Sequence, residues 1–499
     1  MKTFLIHIAL LAALLIACSS TAPRRSNHAT KSLATTDYKT NKAKEAPPKS
    51  DAPDELKFPA IERQKLDNGL ELNVVEMHDL PMVHLQLVIR EGEAADPKDK
   101  PGVASLTASM LEEGTRRLSS SALAETIEFL GAELHVGSNA DQLYVGISAL
   151  SKDLEKVLSL LGEIISQPGF RANEFTKLKK REHARLELSR NDPYFLASRE
   201  FYKALYGDHP YAHIDTNEQA LETISREDLI RWHREHVLPN NAFLVAVGDL
   251  DQESFSKLAS SSFKNWKKRD LPKMATFDPK RRQNRQVFVV DRPESVQSVI
   301  YWGNLSIERS NQDYIPLLVA NQVLGGSAAA RLFMDLREKR SLTYGAYSRF
   351  DERAGLAPFK VSAAVRTEVT GQAMDAFAEH LHRITTEPVP DDELQNAERL
   401  LSDSFPLQLE TYGSIADLVS ELRLFGLPDH YWDSYRGKIR DVSVEQAQQA
   451  AQHYITPDRG VIVVVGKAAD IAQDLRRFGK VTVLDSSGKE IASFAAAGK

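Results

Sequence analysis

The histidines of this 499-residue chain are candidate metal-binding or catalytic residues, because imidazole binds metals and transfers protons near neutral pH. His233 and His236 lie three residues apart in a helical pattern and could in principle meet one metal ion. That helix leads straight into an apolar strand, so the sequence favours a structural role for both. His135 and His183 are isolated and are interpreted in the same way. Cys18 is the only cysteine, which excludes a thiol-based active site and a Cys-ligated metal.

An internal repeat indicates the elements that must position any site. The segment Leu238–Gly248 is echoed by Thr456–Gly466, about 220 residues later. Upstream, an amphipathic helix that ends before Pro168 has a counterpart that ends before Pro388, at nearly the same offset. Two elements of different type at one offset predict a duplicated domain of about 220 residues.

Each copy mixes strands and helices without strict alternation. The dipeptide Asn68-Gly69 predicts the tight turn of a hairpin, and alternating apolar residues over 83–89 predict a half-buried antiparallel strand. Helical patterns cover 103–113, 121–130, 154–166 and 173–190. The predicted class is therefore α+β: two tandem homologous domains, each an antiparallel sheet backed by helices.

The predicted domains span 57–270 and 286–485, joined by a polar, proline-marked linker at 271–285 and followed by a tail at 486–499. The formal net charge is −6, so no global field favours a nucleic acid partner. The densest basic stretch, 177–185, lies in a helical pattern and is predicted to be a solvated helix face.

The N-terminus predicts export. A basic Met1-Lys2 start and an apolar run to Ala17 form a signal peptide over 1–18, and Leu-x-Ala-Cys at its end is typical of a bacterial lipobox. We expect cleavage before Cys18 and acylation of its thiol, with a plain secretory signal as the alternative. Residues 19–56 are predicted to be a flexible tether. Because Ser19 rather than aspartate follows the cysteine, the expected location is a lipoprotein of the outer membrane facing the periplasm.

Several motifs follow one another in a fixed order after the tether: PGVA at 101–104 with MLEEGT at 110–115, LSKDL at 150–154, GDHPY at 207–211, LPNN at 238–241, LGG at 324–326 with RLF at 331–333, and LREKRSLTY at 336–344. In order and spacing they resemble the pitrilysin/insulinase family of zinc peptidases, and more closely its mitochondrial-processing-peptidase-like branch. The resemblance covers nearly all of the chain after the tether.

Catalytic members of that family carry H-x-x-E-H on the first helix of the first domain, where two imidazoles grip Zn²⁺ and the glutamate takes a proton from the metal-bound water. Here Ser105 and Ser109 stand in place of the histidines and Ala108 in place of the glutamate. The resemblance places the third ligand, a glutamate, near Arg185, which Glu182 and Glu187 flank. The guanidinium of Arg185 would repel a cation there. No cofactor is therefore expected on this chain. A serine nucleophile at Ser105 or Ser109 would lack a positioned base.

The other half of the family's site is present. The resemblance implies that Arg337 and Tyr344, seven residues apart, hold the substrate carbonyl and the developing oxyanion. The alternative is that Arg337 pairs with a nearby acid while Tyr344 packs at the start of a strand. Arg331 and Arg340 are predicted to be structural salt-bridge partners.

Peptidases of this branch are heterodimers, so the resemblance implies a division of labour. The expected function is that of a non-zinc-binding subunit, inactive alone, of a periplasmic zinc metallopeptidase that cuts unfolded peptides. It would supply Arg337 and Tyr344 in trans to a homologous partner that carries H-x-x-E-H and the zinc. A catalytically silent peptide-binding or assembly scaffold of the same fold remains the alternative. A self-sufficient zinc peptidase would need ligands that the sequence lacks.

Overall fold

The computed structural model of the chain describes residues 56–272 and 279–498. The predicted signal peptide, Cys18 and all of the predicted tether except Leu56 lie outside this part, as do residues 273–278 of the predicted linker. None of the helices in the described part is both long enough and apolar enough to span a bilayer. The described residues after the tether belong to one compact unit.

The first half of this unit contains a six-stranded sheet in the order β1-β2-β6-β3-β5-β4. Its strands are β1 Glu62–Lys65, β2 Glu71–Glu76, β3 Met82–Ile89, β4 Glu133–Ser138, β5 Leu143–Leu150 and β6 Ala242–Gly248. Its helices are α1 Val103–Leu111, α2 Ser120–Phe129, α3 Leu154–Ser166, α4 Ala172–Ser189, α5 Pro193–Tyr206, α6 Glu218–Thr223, α7 Arg226–His236 and α8 Gln252–Ser262.

The second half contains a seven-stranded sheet in the order β13-β12-β7-β11-β8-β10-β9. Its strands are β7 Gln286–Asp291, β8 Gln297–Leu305, β9 Thr343–Phe350, β10 Pro358–Arg366, β11 Val461–Gly466, β12 Val481–Leu484 and β13 Glu490–Phe494. Its helices are α9 Tyr314–Leu324, α10 Arg331–Phe333, α11 Thr370–Thr386, α12 Asp391–Ser404, α13 Tyr412–Leu424, α14 Tyr431–Arg440, α15 Val444–Tyr454 and α16 Ala468–Leu475. A π-helical stretch, Met334–Lys339, continues α10.

The α+β class and the repeat are confirmed. The echoed segments form β6 and β11, and each of these strands pairs in parallel with the first long strand of its own half and antiparallel with the next. The two echoed amphipathic helices are α3 and α11. Three of the four helices predicted in the first half agree with the structure within one residue at each end, and α1 ends two residues earlier than predicted.

Two details of the prediction are wrong. The sheets are mixed, because β2–β6, β7–β11 and β7–β12 are parallel pairs. The strands of each of these pairs are joined by long connections that contain helices, and such crossovers allow parallel pairing. The segment predicted as a tail at 486–499 instead supplies β13, which pairs antiparallel with β12 and extends the second sheet.

One helix of each half crosses to the other half's sheet. Helix α5 packs on β8 and β11, where Phe201 meets Tyr301 edge-on with 5.9 Å between ring centroids. Helix α13 packs on β3 and β6 and buries Ile415 and Val419. Each sheet is therefore covered on one face by helices of its own half and on the other by this exchanged helix.

Candidate functional site

Helix α1 lies where the family motif would place the zinc ligands. It starts at Gly102, whose φ of +101° is readily adopted only by glycine. The carboxylate of Asp96 accepts hydrogen bonds from the backbone N–H of Gly102 at 2.7 Å and of Ala104 at 2.8 Å. Burial raises the pKa of the Asp96 carboxyl to about 8, while these N–H groups favour its charged form. The cap therefore fixes the start of α1 without offering a metal ligand on the helix itself.

The three substituted positions on α1 cannot do the work of H-x-x-E-H. The Ser109 hydroxyl donates to the Ser105 carbonyl one turn earlier, at 3.1 Å, as serine often does inside a helix. Ala108 is 1% exposed and packs into the core of the first half. A hydroxyl already bonded to the backbone and a buried methyl group provide neither zinc ligands nor a base.

Arg185 on α4 is held by two carboxylates. Its guanidinium donates to both oxygens of Asp215, at 2.5 and 2.6 Å, and to Glu182 at 2.7 Å. The hydrogen bond to Asp215 is the main reason that the pKa of Arg185 is raised. Thr216, the next residue after Asp215, lies against the start of α1, since a Cβ on Gly102 would stand 2.5 Å from the Thr216 Cβ. The Arg185 guanidinium therefore neutralises Asp215 and Glu182, the carboxylates that would otherwise attract a metal ion.

The described residues contain no group of three or more His, Cys, Asp or Glu side chains placed to hold a metal ion. Together with the geometry of α1 and Arg185, this means that the residues present do not fit the family's zinc.

Arg337 and Tyr344, by contrast, lie side by side. Arg337 is on the π-helical stretch and Tyr344 is the second residue of β9, an edge strand. The Arg337 Nη1 donates to the Tyr344 carbonyl at 2.6 Å, and its Nε lies 3.3 Å from the Glu338 carboxylate. The Tyr344 side chain is 86% exposed, and its phenol has no hydrogen-bond partner among the described residues. Both side chains are therefore exposed, and the Arg337 guanidinium is held at the backbone of Tyr344.

The turn between these two residues sets their relative position. Leu336 is fully buried, which fixes the π-helical stretch against the core, and its carbonyl accepts from the Leu342 N–H at 2.8 Å. Ser341 has a φ of +54°, a left-handed conformation that is uncommon for a residue other than glycine. Phe333, one turn before Arg337, lies under its guanidinium with 5.1 Å between the carbon atom and the ring centroid.

Arg331 and Arg340 are confirmed as salt-bridge partners. Arg331 reaches Glu393 at 2.5 Å, and Arg340 joins Asp335 at 2.9 Å with Glu379 at 2.8 Å. Both arginines flank the π-helical stretch and tie it to helices α11 and α12.

The structural interpretation of His233 and His236 is also confirmed. The His233 Nε2 donates to the Ile165 carbonyl at 2.8 Å, whereas the His236 Nδ1 lies 2.6 Å from the Glu91 carboxylate. The two rings therefore serve different contacts and do not converge. His135 and His183 are exposed, and the basic stretch on α4 is partly neutralised by ion pairs such as Arg181–Glu113 at 2.8 Å.

His233 gives the chain a pH-dependent stability. Burial lowers the pKa of His233 to about 4, below its value of about 6.5 in an unfolded chain. The unfolded state thus binds the proton more readily between these values, so stability is full above pH 6.5 and falls as the pH drops. We expect His233 to contribute about 1–2 kcal/mol to the loss of unfolding free energy between pH 7.5 and pH 5. Urea denaturation of wild type and His233→Gln at both pH values measures this, and an equal loss in both proteins would contradict it.

Comparison with known proteins gives this geometry its context. The profile described as insulinase (peptidase family M16) matches residues 74–213, and the one described as peptidase M16 inactive domain matches residues 223–401. The two matches together cover more than half of the sequence. The chain belongs to the M16 peptidase family. The resemblance drawn from the sequence is thereby confirmed, and this M16 chain is one that lacks H-x-x-E-H.

Relatives of the M16 chain include members described as inactive. The "Non-peptidase homolog YmxG" of Helicobacter pylori is 24% identical over 397 residues, covering 78% of this chain and 90% of the relative. The "Uncharacterized zinc protease YmxG" of Bacillus subtilis is 20% identical and covers 81% of this chain and 98% of its own. A crystal structure of a peptidase M16 inactive domain from Pseudomonas fluorescens has a TM-score of 0.76 at 29% identity and covers 82% of this chain and 98% of its own.

Sequence reasoning missed some residues that shape the site. Asp215 could not be paired with Arg185 in advance, because 30 residues separate them and neither lies in a recognisable motif. Phe333 did carry a signal, since it lies four residues before Arg337 and side chains at that spacing meet on one helix face. The left-handed Ser341 had none, because serine gives no indication of such a conformation.

Proposed function

We propose that this M16 chain is the non-zinc subunit of a heterodimeric peptidase and supplies Arg337 and Tyr344 to the active site of a homologous partner. The observation that carries the proposal is the contact itself: the Arg337 guanidinium is held at the backbone carbonyl of Tyr344, a residue whose side chain is exposed. Arg337 also forms an ion pair with Glu338 at 3.3 Å, but its shorter contact, at 2.6 Å, is to the backbone of the second residue of the pair.

The chemistry required of the two side chains is electrostatic. When water attacks a peptide carbonyl, negative charge develops on the carbonyl oxygen, and donors already in place stabilise it without reorganising. The Tyr344 phenol donates a hydrogen bond to that oxygen, and Arg337 adds a fixed positive charge. The partner supplies the zinc and the glutamate base, which this chain lacks. Neither subunit alone then holds a complete site.

The proposal includes the setting of the reaction. The substrate is an unfolded peptide bound in extended form, because main-chain hydrogen bonds to a sheet edge give affinity with little demand on sequence. The chain acts at the bacterial outer membrane on the periplasmic side, where an acylated Cys18 anchors it.

A second candidate is a catalytically silent scaffold of the same fold. The degenerate α1, the ion-paired Arg185 and the relative described as a non-peptidase homolog favour it. In that case the chain would bind peptides or a partner protein without contributing to hydrolysis.

Mixing the subunits distinguishes the two candidates. We expect a homologous H-x-x-E-H subunit to be nearly inactive alone and to gain at least about 10²-fold in peptide hydrolysis when this chain is added, with saturation at one copy per partner. A complex that forms without any gain in activity would refute the shared site and leave the scaffold. The absence of any complex would refute the shared site and any scaffold role toward this partner.

A further inference from the structure

A cationic cavity lies where the linker enters the second half of the chain. Its lining residues do not include Arg337 or Tyr344. It has a volume of about 360 Å³ and is bounded by Arg281 and Arg282, by the end of β8 at Leu305, and by His453 and Arg459. A second cavity of about 400 Å³ adjoins it, sharing Thr456 and Arg459 among its lining residues. We call the first of these the linker cavity.

The positive charge of the linker cavity has no counter-charge among the described lining residues. No aspartate or glutamate is among the described residues that line it. Among the described residues, Arg281, Arg282 and Arg459 take part in no ion pair, although ion pairs are common elsewhere in the chain. Asp458 lines the adjoining cavity and is paired with Arg285 at 3.1 Å. Three arginines thus line one small volume, and none of its described lining residues is an acid.

Two of these arginines are fixed by neutral groups. Arg281 donates to the carbonyls of Leu305 at 2.8 Å and Ser306 at 2.6 Å. Arg282 donates to the Ala204 carbonyl and to the side-chain oxygen of Gln286. Carbonyl contacts orient the guanidinium groups but leave their net charge in place.

Arg282 is the least satisfied of the set. Its Nε is buried and has no hydrogen-bond partner among the described residues. Burial also lowers the pKa of Arg282, which is the effect of removing a cation from water without an opposite charge beside it. A half-enclosed cation without a counter-charge is costly to the folded state, and a bound anion would offset that cost.

We propose that the linker cavity binds a phosphate group. Guanidinium donors match phosphate oxygens in geometry, and several of them suit a group that carries close to two negative charges better than a single carboxylate. The cavity is larger than an inorganic phosphate ion, so the phosphate can carry an organic body. The same chemistry is offered by a soluble phosphate ester and by a phospholipid headgroup.

Calorimetric titration of the full chain tests this with two probes. Inorganic phosphate is titrated at constant ionic strength set with chloride, so that general screening does not change. Vesicles of phosphatidic acid in phosphatidylcholine are compared with vesicles of phosphatidylcholine alone. We expect saturable binding to at least one phosphate-bearing probe, and a loss of about tenfold or more in affinity for Arg282→Gln and for Arg459→Gln. Arg459 is exposed, so its variant checks the site without disturbing the buried contacts of Arg282.

Arg399→Gln is the matched control, because Arg399 is exposed on α12 and its side chain donates hydrogen bonds to Gln395 and Asn396 of the same helix. Binding of phosphate without phosphatidic acid vesicles supports a soluble ligand, and the reverse supports a lipid headgroup. The proposal is overturned if neither probe binds saturably, or if both cavity variants bind as tightly as Arg399→Gln.

Discussion

Arg337→Ala should lower peptide hydrolysis by the mixed subunits by about 10²–10³-fold, the usual effect of removing one preorganised donor from an oxyanion site. Tyr344→Phe should act in the same direction, because it removes the only group that this residue can donate from its side chain. Both changes lie on the surface, and Tyr344 packs against little, so folding and association should be retained. Steady-state kinetics on the reconstituted pair measures the loss in kcat.

Two neighbours on β9 serve as matched controls for this experiment. Tyr347→Phe removes a phenol three residues further along the same strand, and Arg349→Ala removes an exposed guanidinium there. We expect each to change kcat by less than about threefold, since neither forms the contact to the Tyr344 carbonyl. If the controls reduce activity as much as Arg337→Ala, the exposed face of β9 as a whole contributes to activity, and Arg337 and Tyr344 have no specific role. Unchanged activity in Arg337→Ala would refute its role outright.

Phe201→Ala should destabilise the folded chain by about 3–5 kcal/mol, as expected for removing a fully buried aromatic side chain. The reason lies in the exchanged helix: Phe201 belongs to α5 of the first half but packs against Tyr301 and strands of the second sheet. We therefore expect Phe201→Ala to lower the free energy of unfolding of both halves together. Chemical denaturation followed by tryptophan fluorescence and by far-UV circular dichroism should show one coincident transition, shifted to lower denaturant.

Phe129→Ala provides the comparison, because the Phe129 side chain is 88% exposed at the end of α2. Its effect should stay within about 0.5 kcal/mol. Two separate transitions, with only the first-half transition moved by Phe201→Ala, would show that the halves fold independently and that the exchanged helix contributes little to their coupling.

Much of the fold follows from short-range patterns in the sequence. The sequence shows the duplication because two elements of different type recur at one offset, and it predicts α3 with the observed bounds because the apolar face of that helix is regular. The exchange of α5 and α13 was not visible. A buried face on a helix shows that it packs against something, but the pattern is the same whether the covering sheet belongs to its own half or to the other.

The same limit applies to strand pairing and to the site. Strand β13 lies in the segment predicted as a tail. Only Ile491 and Phe494 of its five residues are large and apolar, so the pairing with β12 is what identifies the strand. Arg337 and Tyr344 are identified as a pair by the resemblance to the family motif, in which seven residues separate the two. The ion pair between Arg185 and Asp215 joins residues 30 positions apart. Local sequence patterns carry no information about such a contact.

The crossing of α5 and α13 also bears on how such a chain could have arisen. A polypeptide with only one of the two repeats would leave an apolar sheet face bare, and a lone copy with such a face would associate or aggregate. Two identical copies could cover each other by trading this helix in a domain-swapped homodimer. Gene fusion of such a dimer would make the swap intramolecular, and either repeat could then lose its catalytic residues without loss of the shared core.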